Sequence, residues 1–369
     1  MWKLSPELKA IKQALKQNKL PNHSADLSYA EEKIVRQIEK ETEKHNLNNL
    51  TRTAAYLDFF TSFPELEWAF LAHMVSRNAG WNMTDLKGTF LSKLLTLKQQ
   101  EYFFTFLERS NWLIFQDAYP QLLLYQESKL QQRNLFHLLP QFGVSSFMVI
   151  LWNHYLQTKN DKMISTALII NEQHYIENRV VHHPDYHATI FESIEFKLQE
   201  LLELNQILFP SKSEENTNVI GLSVHHFAAL NERIELGKKL YQLLFDEENF
   251  SAVYDFAINH SHTGSRNDFY PQLFNTVLEE TPYDNYQIRL ERCQLLAGTH
   301  RLYSPRLRDA WGNVPQLPAD KGDWYQDWKV IKLLQSAKHS VLKEKIRDSY
   351  CDGLKKLELA VLAKSTLTK

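Results

Sequence analysis

The fold class is decided by residues 52–78, RTAAYLDFFTSFPELEWAFLAHMVSRN. Apolar side chains recur in this stretch at three- and four-residue steps, which is the pattern of one face of an α-helix. Thr51 is a predicted N-cap, Pro64 interrupts the pattern, and a second helix runs from about Trp68 to about Asn78. The same periodicity continues along most of the chain, so the sequence predicts a helical protein.

The composition supports this fold class. Glycine (10) and proline (12) together make 22 of 369 residues, which is about half of their usual share of roughly 12%. A many-stranded protein needs more turn-forming residues than that, so an all-β fold is excluded. With 43% apolar and 23% charged residues, the chain has the composition of a folded globular protein. We expect an all-α protein, an irregular multi-helix bundle around one extended core.

Further helices follow from the same periodicity in the second half of the chain, and a proline- and glycine-bearing irregular stretch is expected at 304–323. The predicted helices cover residues 186–209, 222–245, 287–300 and 326–362.

The charge pattern divides the chain into an arm and a body. Residues 1–48 are predicted to form a charged amphipathic helical arm, and residues 49–369 an all-α body. The polar run PSKSEENTN is typical of a solvated loop, which places a candidate sub-boundary near residues 210–220.

The charge balance and the cysteines bear on partners and compartment. Lys plus Arg (42) nearly equals Asp plus Glu (44), so no net charge attracts nucleic acid, and we expect no nucleic-acid partner. The best apolar stretch, Val144–Trp152, is too short to span a bilayer, so we expect no membrane association. Cys293 and Cys351 lack a metal-type or CxxC spacing, which predicts no disulfide framework and a cytoplasmic protein.

Three polar, glycine-bearing segments form the candidate functional site. They are predicted connections at Ser76–Asp85 (SRNAGWNMTD), His260–Tyr270 (HSHTGSRNDFY) and Tyr303–Asn313 (YSPRLRDAWGN). Arginine forks bind carboxylate or phosphate, asparagine offers donors and acceptors, and tryptophan stacks on rings. We therefore predict that the segments converge on a pocket for a small anionic molecule. Its lining residues are Arg77, Asn78, Trp81, Asn82, His262, Arg266, Asp268, Tyr270, Arg306 and Asp309.

Two alternatives to a binding pocket stay open at this stage. In the first, the site is also catalytic, with arginines stabilising negative charge while His260 or His262, oriented by Asp268, moves a proton. In the second, the polar segments only cap helices and lock loops, and the protein is a helical scaffold whose arm or last helix docks a protein partner.

The sequence predicts neither a cofactor nor a metal. It contains no HExxH, paired ExxH or CxxC motif, no GxSxG elbow, and no glycine-rich phosphate loop. Seven histidines nevertheless fall within 81 residues, and we interpret them as core or loop residues. They are His182, His183, His187, His225, His226, His260 and His262.

Three segments resemble one known family. They are RTAAYLDFFTSFPELEWAFLAHMVSRNAGWNMTDLKG at 52–88, HTGSRNDFYPQLF at 262–274 and YSPRLRDAWGN at 303–313. Together they resemble the uncharacterised YppC-like family of Bacillus and its relatives, a domain of unknown function. The resemblance spans most of the chain beyond the arm, and it implies no reaction, cofactor or residue role.

Overall fold

Helices account for most of the residues that the computed structural model describes. The described residues are 4–17, 27–184, 206–212, 217–223, 229–279, 287–291, 293–335 and 346–367. Their α-helices are α1 (Pro6–Gln17), α2 (Tyr29–His45), α3 (Asn49–Ser62), α4 (Glu67–Asp85), α5 (Leu91–Leu94), α6 (Leu97–Leu130), α7 (Ser146–Thr158), α8 (Asp161–Ile176), α9 (Leu230–Leu244), α10 (Phe250–Asn259), α11 (Leu307–Ala310) and α12 (Ile346–Leu367). Short 3₁₀ helices lie at Phe136–Phe142, Arg266–Asp268 and Trp328–Leu334, and a π-helical turn at Glu177–Val181 follows α8.

The deciding stretch folds as the helix pair α3 and α4. Asn48, rather than the predicted Thr51, is the N-cap of α3: its side chain accepts from Thr51 N, and Thr51 Oγ1 accepts from Asn48 N. This capping box satisfies two backbone donors that a helix start leaves free. Phe60 of α3 stacks on Phe70 of α4 with ring centroids 5.0 Å apart, so the apolar faces of the two helices close on each other.

Helix α6 crosses the centre of the molecule and is longer than its neighbours. It spans 34 residues, keeps Pro120 in its interior, and contacts α2, α3, α4 and α8. Its aromatic residues were expected in the core, and Phe104, Phe106, Phe115 and Tyr119 are buried there. The arm also joins this core through the buried face of α1. Among the described residues, no helix has the length and apolar content needed to cross a bilayer.

Small sheets correct the all-α expectation, and one of them replaces predicted helix. Strands β1 (Gln206–Lys212) and β2 (Thr217–Ser223) pair antiparallel, with Gln206 opposite Ser223. Strand β1 replaces the end of the helix predicted at 186–209, and β2 replaces the start of the helix predicted at 222–245. Both strands also extend into the loop that was predicted between those helices. The two strands satisfy each other's backbone groups, and Asn78 of α4 pairs with the backbone of Leu208, a contact that local periodicity does not reveal. The remainder of the first predicted helix lies outside the described residues.

A second hairpin replaces the helix predicted at 287–300. Strands β4 (Leu290–Glu291) and β5 (Gln294–Leu295) pair antiparallel, while β3 (Phe274–Asn275) pairs parallel with β6 (Leu302–Tyr303). The backbone N–H groups of Arg289 and Leu290 donate to the Glu358 carboxylate of α12. Cys293, at the turn, is disulfide-bonded to Cys351 of α12, with Cα atoms 5.2 Å apart. The expectation of unpaired cysteines was wrong because residues 58 positions apart are brought together by this packing.

The last predicted helix, 326–362, is divided. A 3₁₀ helix occupies Trp328–Leu334, and α12 runs over Ile346–Leu367. The apolar side of α12 is buried against the body through Leu354, Leu357 and Val361.

An irregular segment at the end of the predicted irregular stretch, residues 317–324, crosses several helices, and we call it the strap. Arg109 of α6 donates to the Leu317 carbonyl at 2.6 Å, and Arg179 donates to the Asp320 carbonyl at 2.9 and 3.1 Å. At its end, Trp324 Nε1 donates to Asn171 Oδ1 of α8 at 2.8 Å. The Asp323 carboxylate accepts from Ser145 Oγ at 2.6 Å and from Ser146 N at 2.9 Å. The strap is therefore fixed through backbone carbonyls near its start and through side chains at its end.

A chain of polar side chains lies under the end of the strap. Asp117 of α6 is 1% exposed, and its Oδ2 accepts from Asn171 Nδ2 and, at 2.9 Å, from Gln121 Nε2. Its Oδ1 has no hydrogen-bond partner within the described part of the chain. Because burial disfavours the charged form, the pKa of Asp117 rises to about 7. This carboxyl group takes up a proton near neutrality.

Candidate functional site

The three predicted segments meet at the C-terminal half of α4. Thr84 Oγ1 donates to the Gly264 carbonyl at 2.6 Å, and Leu307 N donates to the Thr263 carbonyl at 2.9 Å. Segments that lie about 180 residues apart in the chain are thus joined by direct hydrogen bonds. The structure brings together most of the predicted site residues.

The first segment is a helix and not a connection. Helix α4 was predicted to end near Asn78, whereas it continues to Asp85. Gly80, expected in a turn, lies inside the helix because space is short there. A Cβ at this position would lie 2.4 Å from Asn49 Oδ1 and 2.6 Å from His262 Nε2, so only glycine permits their close approach to the helix.

Arg266 is neutralised within the protein. Its guanidinium is 2% exposed and binds the Asp85 carboxylate through Nε and Nη2, at 2.9 and 2.7 Å to Oδ2, while Nη2 also donates to Asn82 Oδ1 at 3.0 Å. Burial alone lowers the pKa of Arg266, but the Asp85 charge overcomes it and keeps that pKa above its usual value. The pair locks the 3₁₀ turn onto α4 and leaves little charge for a ligand.

His262 lies between two oxygen acceptors. Its Nε2 is 2.8 Å from Asn49 Oδ1, and its Nδ1 is 3.6 Å from Asp268 Oδ2. The Asn49 amide is oriented because its Nδ2 donates to the Ser76 carbonyl at 2.8 Å. A neutral imidazole has one N–H and the protonated ring has two, so only the protonated form donates to both oxygens.

Burial and charge act in opposite directions on this pair. The side chain of His262 is 6% exposed and that of Asp268 4%, and burial lowers the pKa of His262, against the contribution of Asp268. Burial also raises the pKa of Asp268, but the neighbouring His262 ring and the hydrogen bonds that Thr263 N and Oγ1 donate outweigh it, so that this pKa is lowered overall. The arrangement places a buried histidine beside a buried carboxylate, which is the pairing that acid/base chemistry uses.

Arg77 is the buried cation that the described residues do not neutralise. It is 1% exposed, and its Nη2 donates to the carbonyls of His260 and Ala257 at the C-terminal end of α10. Its Nε and Nη1 are buried with no hydrogen-bond acceptor among the described residues. Burial lowers its pKa to about 10, so it stays charged at neutral pH.

The remaining predicted residues have structural contacts or lie at the edge. Asn78 pairs with β1, and Trp81 is fully buried against Phe269 with ring centroids 4.5 Å apart. Tyr270 is buried beside Tyr350. Two others lie farther out: Arg306 is half-buried at the start of α11, and Asp309 is exposed.

Sequence reasoning missed the part of the site that α3 contributes. Asn49 and Thr53 are buried on α3, and the Thr53 hydroxyl lies 2.6 Å from Ser76 Oγ. His73 of α4 is also buried, with Nδ1 2.8 Å from the Thr53 carbonyl and Nε2 without a partner among the described residues. A signal was present: Asn49 and Thr53 are four apart, and on α4 polar positions recur at three- and four-residue steps, giving one polar face on each helix.

The cavity at this junction is small. A cavity of about 20 Å³ lies between Asp85, Arg266 and Tyr303, which is room for roughly one water molecule. Metal ligation has no support in the described ranges, because they contain no group of three His, Cys, Asp or Glu residues that could hold an ion. Three of the seven clustered histidines, His187, His225 and His226, lie outside those ranges.

Comparison with known proteins gives a family and no activity. A family model described as "Protein of unknown function (DUF2515)" matches residues 44–350. The chain is 46% identical over 236 residues to a Bacillus subtilis (strain 168) protein named "Uncharacterized protein YppC". The aligned residues make up 64% of this chain and 73% of that protein. No solved structure matches the chain.

Proposed function

The chain belongs to the DUF2515 family, and from the junction of α3, α4 and the 260–270 segment we propose that it binds a small anionic molecule at Arg77. The proposal narrows the pocket expected from the sequence. Of the arginines named there, Arg266 already has a carboxylate partner. Arg77 does not have one within 4 Å in the part of the chain described.

One observation carries the proposal: two guanidinium donors of Arg77 are buried and unpaired among the described residues. A buried donor without an acceptor costs about 1–3 kcal/mol, and more when the group is charged. The carbonyls at the end of α10 offset part of the charge, since a helix C-terminus is the negative end of its dipole. A carboxylate or phosphate oxygen at Nε and Nη1 would supply the missing acceptors in bidentate geometry.

Arg77 interacts electrostatically with two histidines and with Asp268, whose charge raises the Arg77 pKa against the larger effect of burial. Arg77 lowers the pKa of both His73 and His262, after burial as the larger cause, which places the three groups within electrostatic range. A bound anion would reverse that effect and favour the protonated form of His262. Acid/base catalysis by His262 and Asp268 is therefore the form that any chemistry at this site would take.

A ligand reaches Arg77 only if the segment around His260 moves, because the guanidinium is 1% exposed. Ser261 in that segment is exposed, and Gly264 has a φ of +81°. Movement of this short connection, rather than of α4, is the proposed route of entry.

Arg77→Met tests the proposal, since methionine keeps an apolar side chain against Phe256 and removes every donor. We expect that phosphate or citrate raises the melting temperature of the wild-type protein more than that of the variant. Arg308→Met is the matched control, because Arg308 is exposed and pairs with Asp309; it should keep the full ligand effect.

Two outcomes would contradict an anion site at Arg77. One is a wild-type melting temperature that no anion of a phosphate and carboxylate panel changes. The other is an unchanged ligand effect in Arg77→Met. Either result, combined with a lower melting temperature in Arg77→Met, would support the scaffold alternative, in which the network only holds α10 to α4.

The cytoplasm is the proposed compartment, and the cysteine pair makes it testable. Disulfides are rare in reducing compartments, and Cys293 and Cys351 are bonded in the structure. Rapid alkylation in lysed cells should label both thiols if the protein is cytoplasmic. Unlabelled cysteines in the native host would point to an oxidising compartment.

A further inference from the structure

A second, separate cleft lies where α6 and α7 end. Its volume is about 290 Å³, close to the lower end of the range for small-molecule sites. The lining residues are Tyr125, Ser128, Lys129, Gln132, Arg133, Asn134, Leu156 and Lys159. None of them belongs to the Arg77 site.

The charged side chains that line this cleft are all cationic. They are Lys129, Arg133 and Lys159, and no acidic side chain is among the lining residues. Glu65 holds Lys129 at 2.5 Å and Glu31 holds Arg133 at 2.8 Å, so two of the cations are positioned by carboxylates that lie outside the lining.

Lys159 is the cation of the cleft for which the described residues provide no ion-pair partner within 4 Å. Its Nζ lies 5.4 Å from the ring centroid of Tyr155, a contact that orients the ammonium group without neutralising it. The side chain is exposed, so its charge is available to a solute that enters the cleft.

The ends of the two helices offset part of this charge, since helix C-termini carry partial negative charge through free carbonyls. The Ser128 and Tyr155 carbonyls already accept backbone N–H groups. Arg133 N donates to the Ser128 carbonyl at 3.1 Å, and Lys159 N donates to the Tyr155 carbonyl at 2.8 Å.

We propose that this cleft binds a phosphate monoester, with the phosphate between Lys159 and Arg133 and the organic part against Tyr125 and Leu156. Arginine and lysine are the side chains that recognise phosphate oxygens, through a planar fork and a point charge respectively. Tyr125 and Leu156 supply the apolar surface that free phosphate does not use. A monoester therefore gains a contact that inorganic phosphate lacks.

Lys159→Gly and Lys98→Ala form the pair of variants that tests this cleft. Both lysines are exposed, and each ammonium group lies over a tyrosine ring, 5.4 Å from the Tyr155 centroid and 5.5 Å from the Tyr102 centroid. Each variant removes one positive charge, but Lys98 is at the start of α6 and does not line the cleft. Lys159 has a φ of 52°, which glycine adopts without strain, so Lys159→Gly should keep the fold.

Calorimetric titration with phenyl phosphate and with inorganic phosphate reads out binding. We expect phenyl phosphate to bind the wild type more tightly than inorganic phosphate does. Lys159→Gly should weaken phenyl phosphate binding by about fivefold, the size expected for one exposed charge pair, while Lys98→Ala keeps the wild-type affinity.

The outcomes separate this cleft from the Arg77 site. Loss of affinity in Lys159→Gly that is absent from Arg77→Met supports the cleft, whatever happens at Arg77. Wild-type affinity in Lys159→Gly, an equal loss of affinity in Lys98→Ala, or no binding of phenyl phosphate to the wild type at millimolar concentration overturns it. Equal affinities for the two probes would overturn the monoester and leave free phosphate as the solute.

Discussion

Asp117→Asn is expected to change how the stability of the protein depends on pH. Asp117 is buried beside Gln121 and Asn171, and its pKa rises from an ordinary value of 3.8 to about 7, chiefly through burial. Hydrogen bonds from those two amides and the charge of Arg179 act in the opposite direction. Asparagine has nearly the same shape and does not titrate, so the variant removes the ionisation and little else.

The sign and size of the effect follow from proton linkage. Between pH 3.8 and about 7, the folded protein holds the Asp117 proton that the unfolded chain has released, so stability falls as the pH rises through this window. Each pH unit in the window corresponds to about 1.4 kcal/mol. From pH 5 to pH 7 the wild type should therefore lose about 2 kcal/mol of unfolding free energy relative to Asp117→Asn, allowing for half-titration at the upper limit.

Urea unfolding monitored by tryptophan fluorescence, at several pH values from 5 to 8, measures this difference. Burial also raises the pKa of Glu172 to about 7, with a smaller contribution from the Asp117 charge. The effect of burial is present in both proteins and cancels, whereas the effect of the Asp117 charge is lost in the variant and adds to the expected difference in the same direction. Asp58→Asn, at an exposed position of α3, is the control and should differ from wild type by a constant. A difference between wild type and Asp117→Asn that does not change with pH, or that changes in the opposite direction, would refute the reasoning.

Two further changes test packing and cross-linking. Gly80→Ala should lower the unfolding free energy by about 1–3 kcal/mol through overpacking, because the new Cβ would lie 2.6 Å from His262 Nε2. Gly312→Ala should be nearly neutral in the same denaturation assay, because no described atom lies within 4 Å of the position that its new methyl group would take. Reducing the Cys293–Cys351 bond, which spans 58 residues, should cost about 4 kcal/mol by loop entropy. An unchanged denaturation midpoint after complete reduction, checked by thiol titration, would contradict that figure.

Hydrophobic periodicity and proline positions predicted those helices whose formation depends mainly on the residues within them. The two apolar faces around Pro64 located α3 and α4, because a proline between two periodic stretches separates two helices whatever their neighbours are. Strand β1 was missed for the opposite reason. Its residues become strand through β2 and through the Asn78 amide, which pairs with the backbone of Leu208 from 130 positions away.

The candidate site divides in the same way. Composition identified the three segments that meet, since polar and aromatic residues in short stretches mark places where chains converge. Composition did not show that Arg266 and Arg77 differ, because they differ only in which group binds each guanidinium. Asp85 faces the first guanidinium at 2.7 Å, and carbonyls at the end of a helix face the second. That distinction exists only after folding.

The strap has a consequence for sequence variation. Arg109 and Arg179 bind it through the carbonyl oxygens of Leu317 and Asp320, and every amino acid carries a carbonyl oxygen in that position. Substitutions of Leu317 and Asp320 thus leave these two backbone anchors intact, whereas replacing either arginine removes one of them. Homologues can diverge at Leu317 and Asp320, while Asp323 and Trp324, whose side chains hold the end of the strap, are expected to change less.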